Sequence, residues 1–143
     1  MRKNILWFVV LVSLASVASA QNGPPAVSGV YTDLEYNQEG GDLLGMELLI
    51  IPSDPTGYRA FVQIAEGGPP FAVIVPLLVE GSRVEFTLPA GSAYSGEHFV
   101  GTLSSAKLVL HSLQGKEETL KRGNSYWQQG LPTRPRRTPP APR

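Results

Sequence analysis

The chain has 143 residues, no cysteine, and twelve basic residues against twelve acidic ones. Without cysteine it can form no disulfide, thiol nucleophile, thiolate metal site or cysteine-linked lipid anchor. The zero net charge hides a division: between Gln21 and Leu131 six bases face all twelve acids, leaving about −6, which does not suit a nucleic-acid partner, since phosphate binding relies on clustered Lys and Arg.

The chain opens with "MRKNILWFVVLVSLASVASA". Arg2 and Lys3 precede an apolar run from Ile5 to about Val17, which decays into small residues. This is the pattern of a secretory signal peptide over residues 1–20, with cleavage expected after Ala18-Ser19-Ala20. A spanning helix wants about 20 apolar residues, and this run is shorter. Later apolar stretches near Leu48 and Val73 are interrupted by Pro, Gly or charge. The expected product is exported, periplasmic or extracellular, with no transmembrane segment after cleavage. It starts with a short lead-in over 21–26, followed by one domain over 27–129.

Gly, Pro, Asp, Asn and Ser cut that domain into runs of strand length, none with a helical apolar period. In chain order they are Val30 to Tyr36, Leu43 to Ile51, Tyr58 to Ala65, Phe71 to Glu80, Arg83 to Leu88, Glu97 to Leu103, Lys107 to Ser112, and Glu118 to Arg122. "RVEFTL" puts Val84, Phe86 and Leu88 on one face, and "YRAFVQIA" does the same with Tyr58, Ala60, Val62 and Ile64. Such one-sided strands fit an antiparallel sheet with one solvated face. "FAVIVPLLV" is apolar on both faces, which predicts cover on both sides or a kink at Pro76, a residue that favours bulges and edges.

The joints between runs are mostly short enough for hairpins. Eight short strands joined this way lose their exposed edges if they close. The expected fold is all-β: a small antiparallel, mostly up-and-down barrel of about eight strands, with a two-sheet β-sandwich as the alternative. After it, "LPTRPRRTPPAPR" is basic, Pro-rich and aperiodic, so residues 130–143 read as a disordered tail. Its four arginines suggest electrostatic tethering to anionic envelope material.

The segments "GVYTDLEY", "GDLLGMELLII", "GYRAFVQIAEGGPP", "FTLP", "GEHFVGTL" and "LKRGNSYWQ" resemble a group of small secreted uncharacterised bacterial β-barrel proteins. More loosely, the start of the domain is similar to the lipocalin (calycin) and fatty-acid-binding barrels. There the first strand often begins Gly, any residue, Trp; here Gly29-Val30-Tyr31 holds that place with a Tyr. The lipocalin resemblance implies a late-strand Arg packed across that ring, for which Arg122 is the counterpart, and a ligand inside the barrel.

Chemistry-bearing motifs are sparse. His98 and His111 are the only histidines. Ser92 or Ser95 with His98 would make a nucleophile and base, but the spacing lacks the glycine two places before Ser95 that a nucleophile elbow requires. His98 and His111 on neighbouring strands have no third ligand fixed by spacing, so no metal site and no cofactor is assigned. "EGGD" and "EGGPP" lack the Lys and helix of a phosphate cradle and read as turns.

The functional expectation is a non-enzymatic extracytoplasmic binding or interaction module, with a small ligand or an envelope or protein partner. Its candidate ligand-binding residues are Tyr31, Tyr58, Phe86, Arg122 and Trp127. The alternatives are a small secreted hydrolase using Ser95 or Ser92 with His98, and an envelope-attached structural protein tethered by the basic tail.

Overall fold

The alternating runs become strands in a computed structural model that describes residues 26–129 apart from 56, 92, 93 and 95. The expected signal peptide, most of the lead-in and the tail over 130–143 lie outside the described residues. The strands are β1 Gly29–Thr32, β2 Glu35–Asn37, β3 Asp42–Ser53, β4 Gly57–Glu66, β5 Phe71–Glu80, β6 Arg83–Thr87, β7 His98–Leu103, β8 Lys107–Ser112 and β9 Glu117–Gly123, followed by a short helix, α1, Tyr126–Gln129.

Each strand pairs antiparallel with its chain neighbour from β2 and β3 through to β8 and β9; β1 then pairs with both β9 and β3. That last pairing closes the sheet into an eight-strand barrel with β2 as an extra strand, so the sandwich alternative is not the fold. Closure leaves few unpaired backbone groups at edges.

The first predicted strand is interrupted. Thr32 opposes Glu47 and Glu35 opposes Leu44, so β1 and β2 keep one register against β3 and belong to a single strand broken at Asp33 and Leu34. There the Met46 N–H donates to Asp33 Oδ1 at 2.7 Å, and the Asp33 N–H donates to the Met46 carbonyl at 3.0 Å. Opposite the break, Gly45 has φ +105°, and a Cβ on it would lie 2.7 Å from the Asp33 carbonyl oxygen. Pairing of β1 with β9 ends at Thr32, leaving a cleft of about 340 Å³ bounded by Asp33, Leu34, Lys121 and Asn124.

Inward-facing side chains from β1 and from β3 to β9 form one apolar core, in which Tyr31, Leu48, Val62, Val84, Leu108, Leu110 and Leu120 have no exposed surface. Phe86 stacks on Phe99, its direct cross-strand partner, with ring centroids 5.0 Å apart. Gly101 makes room for Leu110, whose Cδ2 would lie 2.6 Å from a Cβ at that position. A barrel this narrow is filled by its own side chains.

The doubly apolar run departs from expectation. β5 lies between β4 and β6, and its register passes unbroken through Pro76, which opposes Arg59. Pro76 therefore marks no bulge against β4, and because the β6 ladder covers only Leu78 to Glu80 of β5, it sits just beyond that pairing, where its missing N–H costs no ladder bond. Only one face of β5 is covered: Val75 and Leu77 are buried, whereas Ile74 and Leu78 are exposed.

Candidate functional site

The barrel has a closed end and a mouth. At the closed end Tyr31 is buried, and its hydroxyl donates to the carbonyls of Val27 at 3.0 Å and Ala26 at 3.2 Å. Arg122, its cross-strand partner on β9, lies over the ring with its guanidinium carbon 5.6 Å from the centroid, within cation–π range. The guanidinium also donates to the carbonyls of Ala26 and Ser28, each at 2.7 Å. Burial pushes the Tyr31 phenol up; the nearby Arg122 charge opposes that and is the weaker effect.

At the mouth, the connection from β6 to β7 folds over the opening. The Leu88 N–H donates to the Glu97 carbonyl at 2.8 Å, and the Glu97 N–H donates to the Tyr94 carbonyl at 3.0 Å. The Tyr94 ring sits 5.6 Å from that of Phe71. Below it is a cavity of about 170 Å³ with Met46, Ile64 and Phe99 as apolar lining and Glu66, Glu97 and Glu118 as acids. Lys116 Nζ pairs with Glu118 Oε1 at 2.8 Å, and that hydrogen bond raises the lysine's pKa. Tyr94 is pushed up to about 12 by burial, by its hydrogen bond to Glu66, and by the charges of Glu66 and Glu97. Asp33 is raised chiefly by burial.

Pockets for drug-sized ligands run to about 300–1,000 Å³, so the mouth cavity has room only for something much smaller. The interior below it is packed down to Tyr31.

Of the five candidate ligand residues, Tyr31 and Arg122 meet at the closed end. Phe86 is buried in the core. Tyr58 is half-buried beside the β3–β4 hairpin, where it lines an open hollow of about 440 Å³ with Pro52, Asp54 and Pro55. Trp127 lies outside the barrel on α1, its indole N–H donating to Gln63 Oε1 at 2.7 Å. The structure therefore does not gather the five around one cavity.

Sequence reasoning missed the clamp that holds α1. Glu47 points outward from β3 yet is only 4 % exposed; its carboxylate accepts from Ser125 Oγ at 2.6 Å and from the Tyr126 N–H at 2.8 Å. The signals were a lone acid inside "GMELLII" and a Ser-x-x-Gln helix start at Ser125.

Next to this clamp the barrel wall is apolar. Val30, Leu49, Phe61 and Ile74 stand in one cross-strand row on the outer faces of β1, β3, β4 and β5. Ile51 and Pro76 flank Arg59 in the next row, and Leu78 lies further along β5. Exposure is 57 % for Ile74, 55 % for Leu78, 42 % for Ile51 and 38 % for Leu49. The opposite wall is polar, with Arg83, Thr87, Lys107, His111, Thr119 and Lys121 exposed.

His98 sits on that polar wall with Nδ1 2.9 Å from Thr87 Oγ1 and Nε2 3.3 Å from Glu85 Oε1. Glu85 is held below the usual carboxylate range, first by its hydrogen bond from Arg83. Ser92 and Ser95 of the hydrolase reading lie outside the described residues. His111 is 3.6 Å from Glu117, and no group of three potential metal ligands occurs among the described residues. No known protein family, curated protein or solved structure matches this chain.

Proposed function

We propose that this protein is an exported, non-enzymatic interaction module that works through the apolar outer wall of β3 to β5. The observation that carries this is the contrast between a filled interior and an exposed row of aliphatic side chains on one wall. Burial of apolar surface is the main favourable term in association, and contiguous exposed apolar patches mark contact sites on soluble proteins. Four large aliphatics more than a third exposed on β3 and β5, with Phe61 of β4 between Leu49 and Ile74, make such a patch. The Arg122–Tyr31 contact supports kinship with lipocalin-type barrels, while the filled core argues against an enclosed ligand.

The experiment is site-specific photo-crosslinking in the cell that makes the protein. A crosslinker at position 74 is expected to give a discrete adduct, and one at position 119, on the opposite wall, is not. Equal labelling from both positions, or none from position 74, overturns the reading.

A further inference from the structure

We propose that the open seam between β2 and β9 takes an extended, basic polypeptide segment of another protein as an added strand. This site is separate from the apolar wall and does not depend on it.

The alternation of the backbone shows what the seam offers. On β9 the Arg122 N–H donates to the Ala106 carbonyl at 2.8 Å, so even-numbered residues turn their backbone groups to the β8 side and odd-numbered ones to the β1 side. Lys121 and Gly123 there meet Thr32 and Val30. Along β1 and β2 the odd-numbered residues face β3, as the bond from the Asp33 N–H to the Met46 carbonyl shows, and the even-numbered ones face β9. The register that pairs Thr32 with Lys121 would next set Leu34 against Thr119 and Tyr36 against Glu117, and neither pairing forms. Thr32 Oγ1 takes the Leu34 N–H at 3.1 Å. Among the described residues, the Leu34 carbonyl and the N–H and C=O groups of Tyr36, Glu117 and Thr119 have no partner across the seam.

The opening is built into the fold. Asp33 bonds to β3 through both its N–H and its carboxylate, which fixes the break on that side and leaves the β9 side unfilled. The cleft of about 340 Å³ lies at the foot of the seam, where Thr32 and Lys121 end the pairing. Tyr36, Glu117 and Thr119 are exposed above it. Unpaired donors and acceptors in strand register are met by an extended backbone, the mode of recognition by strand addition. A lipid surface supplies no groups at that spacing.

Charge selects the side chains of the incoming segment. Over 33–35 and 116–121 the two flanks carry Asp33, Glu35, Glu117 and Glu118 against Lys116 and Lys121, and Lys116 is already paired with Glu118 at 2.8 Å. Asp33 is raised first by burial and also by the charge of Glu118, so a cation entering between the strands is favoured and an anion repelled.

The test is backbone amide exchange by NMR on the chain from Gln21 to Arg143. In the free protein the amides of Glu117 and Thr119 are expected to exchange at least about tenfold faster than those of Glu118 and Leu120, which face β8. The probe is a synthetic heptapeptide of alternating Thr and Lys with blocked ends. At about 1 mM, the affinity that about four net backbone bonds supply, it should half-fill the seam and slow exchange at Thr119 about twofold. The same peptide N-methylated throughout has no donors and should have no effect. With Glu in place of Lys it should bind roughly tenfold more weakly. Slow exchange at Glu117 and Thr119 in the free protein overturns the proposal, because the seam would then be closed. So does an absence of slowing with the Lys peptide, or equal slowing by the N-methylated or the Glu form. Protection of these amides that rises with protein concentration, with a dimer in sedimentation velocity, overturns it in favour of a second copy pairing edge to edge.

Discussion

Arg122 ties the last strand to the segment before the first at Tyr31. It lies 5.6 Å over the Tyr31 ring centroid while donating to the carbonyls of Ala26 and Ser28, so the last strand holds the segment that leads into the first. One flat guanidinium serves three contacts, a geometry that lysine's single ammonium does not reproduce. Arg122→Lys is expected to cost about 1–2 kcal/mol and Arg122→Ala about 2–4 kcal/mol, from lost charge-assisted hydrogen bonds and the cation–π contact. Tyr31→Phe, which removes only the hydroxyl, should cost about 1 kcal/mol. Urea melts of the three variants check the order; a neutral Arg122→Lys would show that charge alone suffices.

The break between β1 and β2 depends on a residue with no side chain. A Cβ at Gly45 would approach the Asp33 carbonyl oxygen to 2.7 Å at φ +105°, a conformation that L residues avoid. Gly45→Ala is therefore expected to destabilise by about 1–3 kcal/mol. Asp33→Ala removes the acceptor for the Met46 N–H and should cost a similar amount, about 1–3 kcal/mol. Gly68 has nothing within 4 Å of its would-be Cβ, so Gly68→Ala should stay within about 0.5 kcal/mol of the parent. Thermal melts of the three proteins separate local strain from a general intolerance of alanine.

These residues show what was legible beforehand. Turn-forming residues marked off every strand from β3 to β9, and alternation in runs such as "RVEFTL" supported several of them, because burial of one face is imposed on the residues themselves. The break at Asp33 was hidden, since Gly45 lies twelve residues further on and its meaning comes from a cross-strand approach. Barrel closure through β1 and β9 is likewise a long-range pairing with no local signature. The apolar wall was half visible: "FAVIVPLLV" reads as apolar on both faces, and only the sheet order reveals that one face stays uncovered. Glu47 looked like an ordinary solvated acid, because the helix that buries it arrives 79 residues later.

Tyr94 should be the last tyrosine to ionise in the folded protein. Its pKa is pushed up to about 12 by burial first, then by the hydrogen bond to Glu66 and by the charges of Glu66 and Glu97. A group whose folded pKa lies above its unfolded value of about 10 stabilises fully below that value. The contribution falls as pH rises from there through the folded pKa. Tyr94→Phe should therefore be less stable than the parent at neutral pH, and the gap should shrink between about pH 10 and 12. Absorbance titration of tyrosinate should lose its most alkaline component in the variant. If that component persists, another tyrosine, with the buried Tyr31 as the first suspect, carries the shift.

The clamp between Glu47 and α1 can be read by fluorescence. Trp7 and Trp127 are the only tryptophans, so a chain starting at Gln21 reports α1 alone. Glu47 receives the Ser125 hydroxyl and the Tyr126 N–H, acting from a distant strand as the acceptor that a helix start needs. Glu47→Ala removes both bonds and is expected to cost about 1–2 kcal/mol. Glu47→Gln keeps one acceptor oxygen and should cost less. If α1 is held by this carboxylate, Trp127 emission in Glu47→Ala shifts to the red and becomes more accessible to quenchers, while the barrel melts as one transition. Unchanged emission would mean that the indole bond to Gln63 at 2.7 Å holds the helix by itself, and Gln63→Ala would then produce the shift that Glu47→Ala did not.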